Sequence, residues 1–178
     1  MRSLIVNIYG GPGSGKSTRA NYIASALKLE GIPCEVCPEF AKEEIHRGLP
    51  ENLKDQKYIF GNQQHLLKKL SEIYPIIIND GALLNCIVYD LSGDKRFHDI
   101  IYDTYLDYTN LDYFLERDKD VKFVQEGRVH NLNESIQKDR EILNTLNDYN
   151  VNYKIINRKD RDTILNDIRC WYNDNFKN

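Results

Sequence analysis

The sequence has few cysteines, no long apolar run and no large excess of one charge, and each absence excludes a class of protein. No apolar run approaches the roughly 20 residues that a bilayer requires, so we expect no membrane-spanning helix. The net charge of −3 at pH 7 gives the chain as a whole no attraction for nucleic acid or anionic lipid. The N-terminus leads directly into an apolar segment, so we expect no signal peptide and a cytoplasmic location.

The four cysteines include one Cys-x-x-Cys pair, Cys34 and Cys37. The pair falls in a predicted strand, where residues three apart point to opposite faces of the sheet. The sequence contains no second such pair to complete a zinc site, so we expect reduced thiols. The 178 residues also lack an internal repeat, a low-complexity segment or a linker, which favours a single domain over 1–178.

A glycine-rich stretch fits the phosphate-binding pattern G-x-x-x-x-G-K-[ST] and organises the rest of the chain. The glycines remove side-chain bulk and permit positive φ, so that many backbone N–H groups can surround a polyphosphate. In this pattern the lysine reaches the β- and γ-phosphates, and the serine hydroxyl binds Mg²⁺. The predicted ATP contacts are Gly11, Pro12, Gly13, Ser14, Gly15, Lys16, Ser17 and Thr18.

Strands alternate with helices along the whole sequence, which predicts an α/β fold with a parallel sheet covered by helices on both faces. The predicted strands are Leu4–Tyr9, Cys34–Cys37, Tyr74–Ile78, Leu111–Leu115 and Val151–Ile156. The predicted helices between them include Ala41–Arg47, Leu53–Ile73, Ala82–Tyr89 and Asn133–Leu146. The glycine-rich stretch lies between the first strand and a helix with one apolar face, which is the setting that phosphate binding requires.

Two acids follow predicted strands, at the sheet edge where ligands bind in open α/β proteins. Glu39 comes after the second strand, and we predict that it accepts or orients the hydroxyl of a phosphoryl acceptor. Asp80 comes after the third strand, where it would hold Mg²⁺ through water or serve as the base. For both acids, a plain turn or ion-pair role is the alternative interpretation.

Gln63 interrupts the apolar face of the predicted helix Leu53–Ile73. A carboxamide offers both donors and an acceptor, so it is suited to read the edge of a base. We therefore predict that Gln63 and Phe40 contact the acceptor, with Tyr58 and Phe60 adding to a stacking wall. The alternative is that Gln63 makes a buried hydrogen bond to the backbone.

The segment 116–131 is polar, partly basic and carries Gly127 and Arg128 between a strand and a helix. We predict a lid that closes over the phosphates, with Arg128 and Lys16 stabilising charge in the transition state. A solvated loop is the alternative. Besides Arg128, the basic residues of segment 116–131 are Arg117, Lys119 and Lys122.

These features together resemble small P-loop kinases, in particular the nicotinamide riboside kinase domain of bacterial NAD-salvage proteins and phage-encoded nucleoside/nucleotide kinase-like ATPases. The segments that carry the resemblance are Gly10–Thr18, Pro38–Glu43, Phe60–Gln63, and Glu126–Arg128 with Glu134 and Asp139 behind it. The resemblance implies a five-stranded sheet in the order 2-3-1-4-5 and ATP as the phosphoryl donor. Two positions depart from it: Lys42 stands where related kinases often carry arginine, and Gly81 stands where nicotinamide riboside kinases tend to carry a second acid.

The sequence favours an ATP- and Mg²⁺-dependent kinase that phosphorylates a small nucleoside-like or nucleotide acceptor, as a monomer or homodimer. A DNA-modifying kinase that acts on a 5′ end or a hydroxymethylated base is the alternative, kept open by the basic residues of the predicted lid. A regulatory ATPase is a further alternative. A purely structural role is hard to reconcile with an intact phosphate-binding loop.

Overall fold

The computed structural model describes residues 2–118 and 131–176. The strands are β1 (Leu4–Tyr9), β2 (Cys34–Cys37), β3 (Ile76–Asn79), β4 (Thr109–Leu115) and β5 (Tyr153–Ile156). The α-helices are α1 (Lys16–Leu29), α2 (Phe40–His46), α3 (Gln56–Ser71), α4 (Asn85–Tyr89), α5 (Lys95–Leu106), α6 (Leu132–Asp148) and α7 (Thr163–Phe176), and a 3-10 helix at Pro50–Lys54 precedes α3. Within these described ranges no helix combines the length and apolar character needed to cross a bilayer.

The five strands form one parallel sheet in the order β2-β3-β1-β4-β5, which confirms the predicted topology. The central strand β1 pairs with β3 on one side and with β4 on the other. Because all strands are parallel, their carboxyl ends meet at one edge of the sheet. The phosphate-binding loop after β1 therefore lies beside the turns that follow β2 and β3.

Helices cover both faces of the sheet, as predicted, and each face has its own apolar core. Leu4, Val6 and Ile8 of β1 face α1 and α7 in the first core, whereas the intervening Ile5 and Tyr9 face the second core, which is shared with α3, α5 and α6. Full burial of such side chains contributes about 1.5–3 kcal/mol each relative to exposure. The two cysteines of the Cys-x-x-Cys pair fall in opposite cores, as their spacing predicts.

Two helices begin later than the sequence indicates. Instead of one helix from Leu53, the chain forms a 3-10 helix and then α3, because Asp55 caps the start of α3. The side chain of Asp55 accepts hydrogen bonds from the backbone N–H groups of Lys57 and Tyr58, at 3.1 Å each. The predicted helix Ala82–Tyr89 begins only at Asn85, because the backbone first forms a tighter turn in which Asn85 N–H donates to the carbonyl of Ala82. The residues before α3 and α4 therefore form turns in place of the predicted first turns of these helices.

A row of polar side chains crosses the three central strands inside the second core. Asn79, Asn7 and Asp112 occupy neighbouring strands in register, and the amide of Asn7 donates to Asp112 at 3.0 Å while accepting from Asn79 at 2.9 Å. The hydroxyl of Tyr105 donates to the other oxygen of Asp112 at 2.8 Å. Burial raises the pKa of Asp112 to about 6, although these hydrogen bonds oppose the shift.

The raised pKa of Asp112 predicts a pH-dependent contribution to stability. The folded state holds the proton up to a higher pH than the unfolded state does, so this carboxyl lowers the free energy of unfolding as pH rises from about 4 to about 6. Asp112→Asn removes the titration and keeps an oxygen acceptor. We expect the variant to gain on the order of 2–3 kcal/mol relative to the parent between pH 4 and pH 7, measured by urea unfolding.

The exposed Asp103 supplies the control, since Asp103→Asn removes one charge from the same region without touching the buried row. A stability difference between Asp112→Asn and the parent that stays constant from pH 4 to pH 7 would show that Asp112 does not titrate in this range.

Candidate active site

The loop between β1 and α1 adopts the strained backbone that phosphate binding requires. Gly10, Gly13 and Gly15 have φ of +144°, +80° and +102°, in the region that residues with a Cβ rarely adopt. A Cβ at Gly10 would also lie 2.6 Å from the hydroxyl oxygen of Ser14. The glycine spacing of the sequence thus corresponds to three positions at which the backbone conformation disfavours a side chain, and at Gly10 a side chain also lacks space.

Lys16 is the first residue of α1, and its side chain turns back toward this loop. The residue is buried, and its ammonium donates to the carbonyl of Gly10 at 2.7 Å. Ser17 and Thr18 follow in the first turn of α1, whose free N–H groups and positive dipole end face the loop. The loop, the lysine and the helix terminus together form a site for a highly charged anion.

A contact from α6 fixes the outer side of the loop. The carboxylate of Asp139 accepts a hydrogen bond from Gly11 N–H at 2.6 Å and another from Arg117 Nε at 2.9 Å, while Arg117 Nη2 donates to the carbonyl of Pro12 at 3.1 Å. A Cβ at Gly11 would lie 2.5 Å from the carbonyl oxygen of Ser135. Gly11 is therefore the point at which α6 packs directly on the loop.

One cavity of about 560 Å³ extends from the loop to the space between α2, α3 and α4. Most predicted site residues contribute to its wall: Pro12, Gly13, Gly15, Lys16, Ser17, Thr18, Glu39 and Gln63. Lys42 also lines the cavity, together with residues that the sequence did not assign to the site, including Ile59, Ala82, Asn85, Tyr89 and Lys138. Four other predicted residues within the described ranges do not line it: Gly11, Ser14, Phe40 and Asp80.

Glu39 lies in this cavity, at the residue that precedes α2. Its side chain is half-buried, because solvent in the cavity reaches it although protein surrounds it on all other sides. Burial raises the pKa of Glu39 above its ordinary value of 4.5, opposed by Lys16 and Lys42 and reinforced by Asp80. Among the described residues its carboxylate has no hydrogen-bond or ion-pair partner, so its lone pairs are available to a ligand.

Lys42 brings a second cation to the loop from α2. Its ammonium lies 3.4 Å from the hydroxyl oxygen of Ser17, the group that is predicted to bind Mg²⁺. The sequence indicated Lys42 only as the position where related kinases often carry arginine. Its distance from Ser17 could not be inferred from their separation of 25 residues.

Asp80 is almost fully buried directly after β3, and its backbone N–H donates to the carbonyl of Cys37 at 3.0 Å. Its Oδ1 has no hydrogen-bond partner within the described residues. A buried unpaired carboxylate oxygen is costly in a folded protein and suggests a partner outside the chain. Carboxylate and hydroxyl oxygens are the ligands that Mg²⁺ prefers, so Asp80 and Ser17 fit that ion.

Phe40 does not line the cavity, and Gln63 lines it with a carboxamide that is already hydrogen-bonded within the protein. The ring of Phe40 is buried in the second core and packs edge-to-face on Tyr58 with centroids 5.5 Å apart, while Phe60 packs on Phe97. The carboxamide of Gln63 bonds to the protein itself, with Oε1 2.8 Å from Phe40 N. These contacts agree with the alternative interpretation of Gln63, a buried hydrogen bond to backbone, and remove the predicted stacking wall.

Arg128 and Gly127 lie outside the described residues, as does most of the predicted lid. The lid therefore stays a prediction. Of its basic residues, the structure places Arg117, which holds Asp139 and the loop as described above.

Solved structures of small-molecule kinases share this architecture. A shikimate kinase from Acinetobacter baumannii in complex with shikimate matches with a TM-score of 0.55 and 15% identity, covering 99% of this chain and 96% of that one. An APS kinase from Mycobacterium tuberculosis in complex with AMPPNP and APS matches with a TM-score of 0.50 and 13% identity, covering 95% and 96%. This is the P-loop kinase fold.

At such low identity the likeness establishes the fold and leaves the substrate open. No protein-family model matches the sequence, and no curated protein matches it. Neither of these two structures is a nicotinamide riboside kinase, so the finer resemblance stays a prediction.

The contact between α6 and the loop predicts a large loss of stability in Asp139→Ala. The substitution leaves Gly11 N–H and the largely buried guanidinium of Arg117 without their acceptor, which should cost about 2–4 kcal/mol in urea unfolding. Asp139→Asn keeps an oxygen for Gly11 and should lose less.

The exposed pair of Lys95 and Asp99 on α5, 3.1 Å apart, is the control. Asp99→Ala should change stability by less than about 0.5 kcal/mol, because solvent screens such pairs. Equal losses at positions 139 and 99 would contradict the proposed packing role of Asp139.

Proposed function

We propose that the protein is an ATP-dependent kinase that transfers the γ-phosphoryl group to a hydroxyl or phosphate of a small nucleoside-like or nucleotide acceptor. One observation carries the proposal: a single cavity joins the phosphate-binding loop to Glu39 and to the pocket between α2, α3 and α4. A donor bound at the loop and an acceptor bound in the pocket would meet beside Glu39. Transfer between bound molecules requires such a shared space.

The residues of the loop would bind and neutralise the phosphates of ATP. Backbone N–H groups and Lys16 face the polyphosphate, and Lys42 adds a cation beside Ser17. Ser17 and Asp80 are the residues that would hold Mg²⁺, which when bound supplies further neutralisation of the phosphoryl charge. Arg128 is proposed to add charge stabilisation, as the resemblance implies.

Glu39 would orient the acceptor hydroxyl and take its proton. The bond between the acceptor oxygen and the γ-phosphorus forms while the bond from that phosphorus to the β–γ bridging oxygen breaks, and ADP leaves. Because only the ionised carboxylate accepts the proton, the raised pKa of Glu39 brings this group closer to the neutral pH at which a base works best.

The size and charge of the pocket support a small acceptor with an anionic or polar part. A cavity of about 560 Å³ lies in the range that accommodates one small organic ligand beside the loop. Lys42, Lys54 and Lys138 line it, together with the apolar side chains of Ile59 and Leu53. The two similar solved kinases bind small molecules, shikimate and APS, which is consistent with this proposal.

The proposal is tested by incubating the protein with γ-labelled ATP, Mg²⁺ and a panel of nucleosides, nucleotides, nicotinamide riboside and a DNA oligonucleotide. We expect label in a small product. Lys16→Ala should lower this transfer by about 10²–10³-fold, because it removes the main fixed charge at the phosphates. Circular dichroism should show that the variant stays folded.

Three outcomes would redirect the proposal. Near-normal turnover in Lys16→Ala would exclude the loop as the phosphate site. Label found only in the oligonucleotide would replace the small acceptor with DNA. Phosphate release that no acceptor stimulates would favour a regulatory ATPase.

The two acids should act on different parts of the reaction. Asp80→Asn removes a charge proposed to hold Mg²⁺, so it should reduce the strengthening of ADP binding by Mg²⁺, measured by isothermal titration calorimetry. Glu39→Gln is the matched control, because it neutralises the other acid at this edge of the sheet and should leave that strengthening within about two-fold while lowering transfer. The same Mg²⁺ dependence in both variants would contradict this division of roles.

A further inference from the structure

We propose that Gln63 is a positioning residue for Glu39: its carboxamide binds the two peptide groups that flank Glu39 and so fixes where this carboxylate enters the cavity. The inference rests on the proposed function for its consequence in catalysis. It replaces the role in reading the acceptor that the sequence predicted for Gln63.

The hydrogen bonds of Gln63 bracket Glu39. Oε1 accepts from the backbone N–H of Phe40, the residue after Glu39, at 2.8 Å. Nε2 donates to the carbonyl of Pro38, the residue before Glu39, at 3.1 Å, and to the sulfur of Cys37 at 3.2 Å. Both peptide groups next to Glu39 are thus tied to one side chain, which is 3% exposed.

Other contacts with the described residues do not fix Glu39 in this way. Its own side chain has no hydrogen-bond or ion-pair partner among them, and α2, which it precedes, has only seven residues and no side-chain cap at that end. The orientation of the carboxylate therefore depends on the backbone of the turn between β2 and α2. A shift of about 1 Å in a reacting group can lower a rate by about 100-fold.

Gly81 provides the space that Gln63 occupies. A Cβ at position 81 would lie 2.5 Å from Oε1, 2.6 Å from Cδ and 2.7 Å from Nε2 of Gln63. The backbone of Gly81 is outside the left-handed region, so conformation alone does not demand glycine there. The absence of a side chain at position 81 is explained by the carboxamide of Gln63.

The same contacts leave Gln63 little capacity to read an acceptor. A carboxamide has two N–H donors, and both are directed to atoms of the protein, Pro38 O in the turn and Cys37 Sγ at the end of β2. Binding a base through these donors would leave the carbonyl of Pro38 unpaired. Gln63 lines the cavity, but its polar atoms are hydrogen-bonded to the residues on either side of Glu39.

The test compares Gln63→Met with Gln64→Met, the same substitution at the next residue of α3, which lies outside the cavity. Two quantities are measured on folded protein: the titration of the Glu39 carboxyl by ¹³C NMR, assigned with Glu39→Gln, and label transfer to the nucleosides and nucleotides of the panel. Burial raises the pKa of Glu39, so release of the turn toward solvent should move its titration back toward the ordinary value.

We expect Gln63→Met to shift the Glu39 titration to lower pH and to lower kcat by at least 10-fold, with the KM for ATP within about two-fold of the parent. Gln64→Met should change neither. A Gln63→Met protein that melts at a lower temperature but keeps the parent titration and kcat would show that Gln63 is only structural. A raised KM for the acceptor with an unchanged Glu39 titration would restore the reading role.

A double-variant cycle keeps the inference testable if Gln63→Met does not fold. Gly81→Ala should displace Gln63 and shift the Glu39 titration in the same direction, whereas Gly81→Ala added to Gln63→Ala should have almost no further effect, because the smaller residue removes the clash. Additive shifts would overturn the inference. The titration does not depend on turnover, so a parent that transfers no label to any acceptor would contradict the proposed function alone.

Discussion

The parallel pairing of β1 with β3 and β4 is the constraint on which the site depends. Together with the pairing of β2 on β3, it brings the glycine loop after β1 to the same edge as the turns after β2 and β3. Lys16, Glu39 and Asp80 come from three separate parts of the chain and lie at this one edge. The two apolar cores hold this sheet from both sides. The loop itself adds strained backbone and unpaired donors, and it depends on that rigid support.

Buried polar groups in this protein divide according to where their partners lie. Asp139, Gln63, Asp112 and Asn7 find partners within the chain, and each of them joins elements that are distant in sequence. Asp80 Oδ1 has no such partner among the described residues. Since unpaired buried groups are rare in folded proteins, the first set identifies the framework, and the position of Asp80 Oδ1 after β3 supports the proposal that this atom binds a ligand.

The sequence predicted the parallel sheet and most of the cavity wall, because these follow from local patterns: apolar strands, glycine spacing and acids at strand ends. The order of the strands was implied by the resemblance to small P-loop kinases. It did not predict the contact between Gly11 and Asp139, whose residues are 128 apart, or the ammonium of Lys42 beside Ser17. A helix pattern places Gln63 on the inward face without specifying its partners. The same pattern does not reveal that Phe40 turns into the core, since that depends on the packing of α3 against α2.

Glu39 directly precedes the short helix α2, whose first turn carries Lys42, and this arrangement has a thermodynamic consequence. Any movement of α2 that an acceptor induces at Glu39 also changes the approach of Lys42 to Ser17. If the acceptor and the metal–nucleotide bind as proposed, their binding equilibria are linked. Thermodynamic reciprocity then requires that each ligand changes the affinity of the other by the same factor.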